Sequence, residues 1–177
     1  MGRLAKGIAT VGGLGLSPVA PGTVGSLAGL AIATLWPGYP NPALHLSALA
    51  VVFGIGVVAA SRTERDLDVL DPGCVVIDEL VAMWLIGSVD PLKTILYHFA
   101  SYFPFSQRAM CAAVAFAAFR FFDIVKPPPI KRLARLPGGW GIMLDDLGAA
   151  LYAWLVIQIL FRWIHLGHAI LPAALPS

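Results

Sequence analysis

Charge is scarce in this chain. Between Lys6 and Arg62 there is no Asp, Glu, Lys or Arg, whereas a soluble fold needs charge somewhere in such a stretch to keep its surface wetted. Overall, 12% of residues are charged against 58% hydrophobic, which excludes an ordinary water-soluble domain and points to a membrane protein. Cysteine is also sparse. Cys74 and Cys111 show neither CxxC nor Cys/His spacing, so they indicate no disulfide framework and no zinc site and are read as packing residues. The formal net charge of +2 is too small to imply nucleic-acid binding. Missing too are a Walker A loop, a GxGxxG after a strand, the DxDxT of aspartyl-phosphate phosphatases and the Arg/His signature of lipid phosphatases with a histidine nucleophile. His45, His98, His165 and His168 fall away from the acidic residues, which leaves a serine hydrolase triad without a base.

What is present fits one domain over residues 1–177, with no internal repeat and no shift in composition. Arg3 and Lys6 precede an apolar segment, but "GIATVGGLGLSPVA" is glycine-rich and Pro21 follows the one plausible cleavage site, so the segment is kept in the mature chain. The pattern predicts an all-α, compact, membrane-embedded bundle of about five membrane-associated helices. The first runs from Thr23 to Trp36, entered at Pro21 with Thr23 able to cap it, and "PGYPNP" stops it. A second from Ala43 to Ser61 has roughly 28 Å of uncharged helix, enough to cross a hydrocarbon core. The polar segment "RTERDLDVLDPG" follows it. A third spans Val75 to Val89 with Asp78 and Glu79 near its start, a fourth spans Ser106 to Phe122, and a fifth starts near Asp146 and reaches Trp163 or beyond. "LKTILYHFASYFPF", from Leu92 to Phe105, fits either an interfacial segment or an extension of the third helix.

Starting from a cytoplasmic N-terminus, five crossings place Arg3, Lys6, Arg62, Arg65, Arg120, Lys126, Lys131, Arg132 and Arg135 inside, as the positive-inside tendency requires. The same topology gathers every acidic residue except Asp90 at the cytoplasmic helix ends. Carboxylates beside a bilayer are costly unless solvated, paired or bound to a cation. Asp145 and Asp146, taken alone, are explained by capping of the fifth helix. Acidic residues from three separate junctions, Asp78 with Glu79, Asp123, and Asp145 with Asp146, would form a set of hard oxygen ligands suited to Mg²⁺ rather than zinc. Arg120 and Lys126 flank Asp123 and could hold an anionic substrate; an Arg120 to Asp123 ion pair is the structural alternative. The glycine-rich "GGLGLSPVAPGTVGS" leads into a helix N-terminus that favours phosphate, where Thr23 and Ser26 add hydroxyls, although tight turns explain the glycines equally well.

Four stretches, "GLGLSPVAPGTVGS", "VVIDELVAMW", "FRFFDIVKPPPI" and "GGWGIMLDD", resemble the phosphatidylglycerophosphatase A family in content, order and spacing. The resemblance implies an all-helical enzyme of the bacterial inner membrane, its site facing the cytoplasm. Such an enzyme uses Mg²⁺ to remove the terminal phosphate of phosphatidylglycerophosphate, giving phosphatidylglycerol. On that reading Asp78, Glu79, Asp123 and Asp146 are catalytic, these four with Asp145 are the metal ligands, and Thr23, Ser26, Arg120 and Lys126 bind the substrate. Three positions depart from the family: Ala82 and Ala150 replace its usual glycines, and Ala134 falls where its loop often carries another aspartate. Two other functions share the carboxylate cluster. An ion carrier would place it near the bilayer midplane, and a lipid-head-group transferase would bring a spaced-aspartate helix motif that is absent here.

Overall fold

A computed structural model describes residues 2–35, 42–88 and 105–170, with the backbone alone at 34, 35, 42, 105–108 and 161–170. Among the described residues the regular secondary structure is all helix, as expected. The elements are α1 (Gly2–Ala9), a 3₁₀ turn (Leu14–Leu16), α2 (Pro21–Leu35), α3 (Pro42–Leu67), α4 (Ile77–Ser88), α5 (Phe105–Val125), the short α6 (Ile130–Leu133) and α7 (Gly139–Ile170). Two stretches, Ala43–Leu67 and Gly139–Leu160, have the length and hydropathy to cross a membrane, while the apolar stretch Pro21–Ala33 is shorter. The expected span from Leu92, with Pro91 and Asp90, lies outside the described residues.

Helix α4 is the centre of the bundle, packed by α2, α3, α5 and α7. Val81, Ala82, Met83 and Ile86 are each almost wholly enclosed, as a helix that is apolar all round must be. Its closest neighbour is α2, which presents Gly25, Gly29 and Ala33 at helical spacing. A side chain at Gly29 would overlap the Leu80 carbonyl, one at Gly25 would lie 2.7 Å from Val76 Cβ, and Ala33 meets Gly87. Small residues on one face let two helix backbones approach closely. This is why the glycines run on from the loop into the helix.

The second layer joins α5, α6 and α7. Phe119 and Ile130, both fully buried, pack against Ala149, Ala150 and Ala153. Ala82 and Ala150 are both enclosed in this cluster.

Several boundaries differ from the expectation, each for a physical reason. Helix α2 begins at Pro21, so Thr23 sits inside its first turn and is not its cap. Helix α3 continues through "RTERDL" to Leu67, where Arg62 and Asp66 form an i, i+4 ion pair at 3.1 Å. Helix α7 begins at Gly139, well before Asp146. The left-handed φ of +62° at Gly138 turns the chain into it. The Gly139 N–H donates to Ser61 Oγ at 2.7 Å, so α3 supplies the hydroxyl that satisfies the start of α7.

Candidate active site

Three elements bring carboxylates together. Asp78 and Glu79 lie in the first turn of α4, and Asp123 in the last turns of α5. Asp145 and Asp146 lie in the second turn of α7, which removes the helix-capping explanation for them. Asp78, Asp145 and Asp146 are buried, with 7%, 4% and 3% of their surface exposed.

The five carboxylates divide by partner. One oxygen from each of Asp78, Glu79 and Asp146 lies within 4.8 Å of the other two. Asp78 Oδ1, Glu79 Oε2 and Asp146 Oδ2 are cut off from solvent and have no hydrogen-bond partner. Asp123 accepts an ion pair from Arg120 Nη1 at 2.9 Å, and the same nitrogen stands 3.7 Å from Glu79 Oε1. The Arg120 to Asp123 pair therefore exists, and Arg120 reaches beyond it into the cluster. Asp145 is held by the Lys126 ammonium and also accepts the Asp146 N–H at 2.9 Å. Burial alone would depress the Lys126 pKa, but the Asp145 contact and the charges of Asp145, Asp146 and Asp123 outweigh it and raise the value.

Five carboxylates face two cations, five minus two leaving an excess of three negative charges if all ionise. Unpaired buried charges are strongly destabilising. Hard, unpartnered oxygens from three residues at this separation fit a divalent metal ion with oxygen preference.

The N-terminus of α2 closes the cluster on another side. A side chain at Gly22 would collide with Glu79 Oε1 and approach Arg120 Nη1 to 3.1 Å, so the first turn of α2 begins beside Glu79 and Arg120, with Thr23 the next residue along it. Ser26 is different. It is fully buried and its hydroxyl donates to the Gly22 carbonyl at 2.8 Å, which braces that turn from within. His45 lies elsewhere, buried and edge-on to Trp84 with ring centroids 5.5 Å apart. His98 and the side chains of His165 and His168 fall outside the described residues.

Residues 7–161 match the sequence profile of the family described as phosphatidylglycerophosphatase A. The chain belongs to that family. A phosphatidylglycerophosphatase A from Haemophilus influenzae is 35% identical over 152 residues, 85% of this chain and 85% of the relative. One from Escherichia coli is 36% identical over 140 residues, covering 77% and 72%. A protein from Bacteroides thetaiotaomicron, named as a candidate phosphatidylinositol-3-phosphatase, is 36% identical over 162 residues, covering 89% and 92%. No solved structure matches the chain. In this phosphatidylglycerophosphatase A family member, Ala134 is exposed and lines a pocket of about 380 Å³ with Glu64, Asp71, Arg135 and Asp145.

Two features of the site escaped the sequence. Ser61 carries no signal of its own, because its role depends on α7 packing against α3. Tyr152, whose hydroxyl donates to the Pro128 carbonyl at 2.8 Å and ties the loop after Lys126 to α7, reads in the sequence as one more aromatic in an apolar run.

Proposed function

We propose that this chain hydrolyses the terminal phosphate monoester of phosphatidylglycerophosphate, giving phosphatidylglycerol and inorganic phosphate with the help of Mg²⁺. The observation that carries this reading is the convergence of Asp78, Glu79 and Asp146, each with one buried, unpartnered oxygen, beside Arg120 and the N-terminus of a helix. Family membership and the names of the Haemophilus and Escherichia relatives support the substrate.

On this reading Asp78, Glu79 and Asp146 hold the metal, with Asp123 and Asp145 completing the acidic ring. When bound, Mg²⁺ supplies charge neutralisation on the phosphate and acidifies water. Arg120 and the first turn of α2, including Thr23, hold the phosphate oxygens, each donor set matched to an anion. Ser26 supports them by fixing the Gly22 carbonyl. Lys126 adds positive charge where the phosphate enters. A carboxylate from Asp78, Glu79, Asp123 or Asp146 takes the proton from the attacking water. The bond between phosphorus and the glycerol oxygen then breaks, and that oxygen leaves protonated as the lipid hydroxyl.

The chain works as a single multi-pass domain in the bacterial inner membrane, with the acidic ends in the cytoplasm. The lipid tails stay in the bilayer while the phosphate meets the acidic helix ends. The carboxylates sit in the first turn of α4, the last turns of α5 and the second turn of α7. That placement favours a phosphatase over an ion carrier, whose site belongs near mid-helix depth.

The test is phosphate release by the purified protein from phosphatidylglycerophosphate, with and without a chelator, beside phosphatidylinositol 3-phosphate as a second substrate. Chelator-sensitive release from the first lipid is expected. Preferential release from the second would transfer the assignment to the inositol lipid named for the Bacteroides relative.

A further inference from the structure

Away from the acidic site, α1 and α3 flank an open groove of about 740 Å³ that shares no residue with it. Its walls are apolar: Leu4 and Ile8 from α1, and Val51, Ile55 and Val58 from α3 at helical spacing. Apart from Ile8, which also packs against the core, these residues face outward. Leu4, Val51 and Val58 are 72%, 60% and 69% exposed, an apolar surface open to the surroundings. The groove's charged lining consists of Arg62 and Arg65 at one end. Arg62 is oriented through Nε by Asp66 at 3.1 Å, and Arg65 makes no ion pair among the described residues.

The dimensions match one leaflet of a bilayer. Val51 to Val58 covers roughly 10 Å of helix rise, with Arg62 and Arg65 roughly 6 and 10 Å further on. Half of a hydrocarbon core is about 15 Å, so the apolar stretch lies within one leaflet and the arginines reach head-group level. A guanidinium at that depth is matched to phosphate by charge and by its fork of donors. Helix α1 is amphipathic, with exposed Arg3 and Lys6 beside the apolar residues it turns to the groove, the pattern of a helix at the interface of an anionic membrane.

We infer that the groove between α1 and α3 binds an anionic phospholipid, with one acyl chain along Val51, Ile55 and Val58 and its phosphate at Arg62 and Arg65. This rests on the membrane reading given above but not on the chemistry of the acidic site. The lipid is a resident of the protein's own leaflet, and it ties α1 to α3 where the contact between them is open.

The experiment uses the full chain in phosphatidylcholine vesicles containing phosphatidylglycerol with a photoactivatable acyl chain, and maps the labelled residues. Label is expected on α1 and on the 51–58 face of α3, about tenfold above that from phosphatidylcholine carrying the same probe. Gly54 lies in the groove with nothing within 4 Å of an added Cβ, so Gly54→Leu places its added bulk in the groove from an open position. Gly54→Leu, and separately Arg62→Gln with Arg65→Gln, should each cut the groove label about tenfold, with hydrolysis of phosphatidylglycerophosphate within about twofold of wild type. Equal labelling by phosphatidylcholine, labelling unchanged in both variants, or crosslinks to a second copy across this face would overturn the proposal. Vesicle flotation separates the two levels: a chain that floats with an unlabelled groove overturns the lipid site alone, and a chain that does not float overturns the membrane reading with it.

Discussion

Ser61 on α3 accepts the backbone N–H of Gly139 at 2.7 Å, and this bond sets where α7 begins. A side chain at Gly139 would overlap the Val57 carbonyl, so the two helices meet backbone to backbone at this point. Asp145 and Asp146 fall in the second turn as a consequence. Ser61→Ala removes the acceptor for a buried donor and should lower stability by about 1–2 kcal/mol. Thermal unfolding in detergent checks this, with Ser61→Thr expected to restore most of the loss.

The contact between α2 and α4 should be intolerant of size. At Gly29 an added Cβ meets the backbone of Leu80, which cannot swing aside as a side chain would. Gly29→Val should cost about 1–3 kcal/mol or prevent folding. By contrast, Gly54→Ala on α3 enters open space and should leave the protein as stable or raise it by about 0.5–1 kcal/mol. Comparing the two melting curves tests whether α2 is held by backbone proximity.

Lys126 and Asp145 are coupled across the junction of α5 and α7. Lys126→Ala leaves a buried carboxylate without its cation and should destabilise by about 1–3 kcal/mol. The double variant Lys126→Ala with Asp145→Asn should recover much of that loss, since no uncompensated charge remains. A double-mutant cycle on unfolding midpoints measures the coupling; purely additive losses would show that the pair contributes nothing.

The α class and the meeting of Asp78 and Glu79 with Asp146 were legible because apolar runs and family motifs are local properties of the chain. The start of α7 was not. Its first N–H is satisfied by Ser61, a residue 78 positions away, and no pattern around Gly139 reports that. The glycines at 22 and 25 fit tight turns and a phosphate-favouring helix entry equally well in the sequence, because their partners, Glu79 and Val76, lie some fifty residues further on, in α4 and just before it. Likewise, the sequence supplied five carboxylates and two cations, but geometry decides which pair. Arg120 takes Asp123 most closely, with Glu79 at longer range, and Lys126 takes Asp145, while Asp78, Glu79 and Asp146 face one another.

Without metal, those three carboxylates oppose folding. Replacing one with a neutral amide removes a buried, unpartnered charge, so Asp146→Asn should raise the stability of the metal-free protein by about 1–2 kcal/mol while abolishing phosphate release. Unfolding in chelator, paired with the activity assay, reads both effects. A variant that loses activity and stability together would indicate a structural role for Asp146.

Calorimetric titration of Mg²⁺ into the purified protein is the most direct measurement, applied to wild type, Asp78→Asn and Asp146→Asn. Saturable binding to wild type is expected, weakened by about tenfold or more in each variant. Equal Mg²⁺ affinity in all three proteins would contradict a metal site built from these carboxylates.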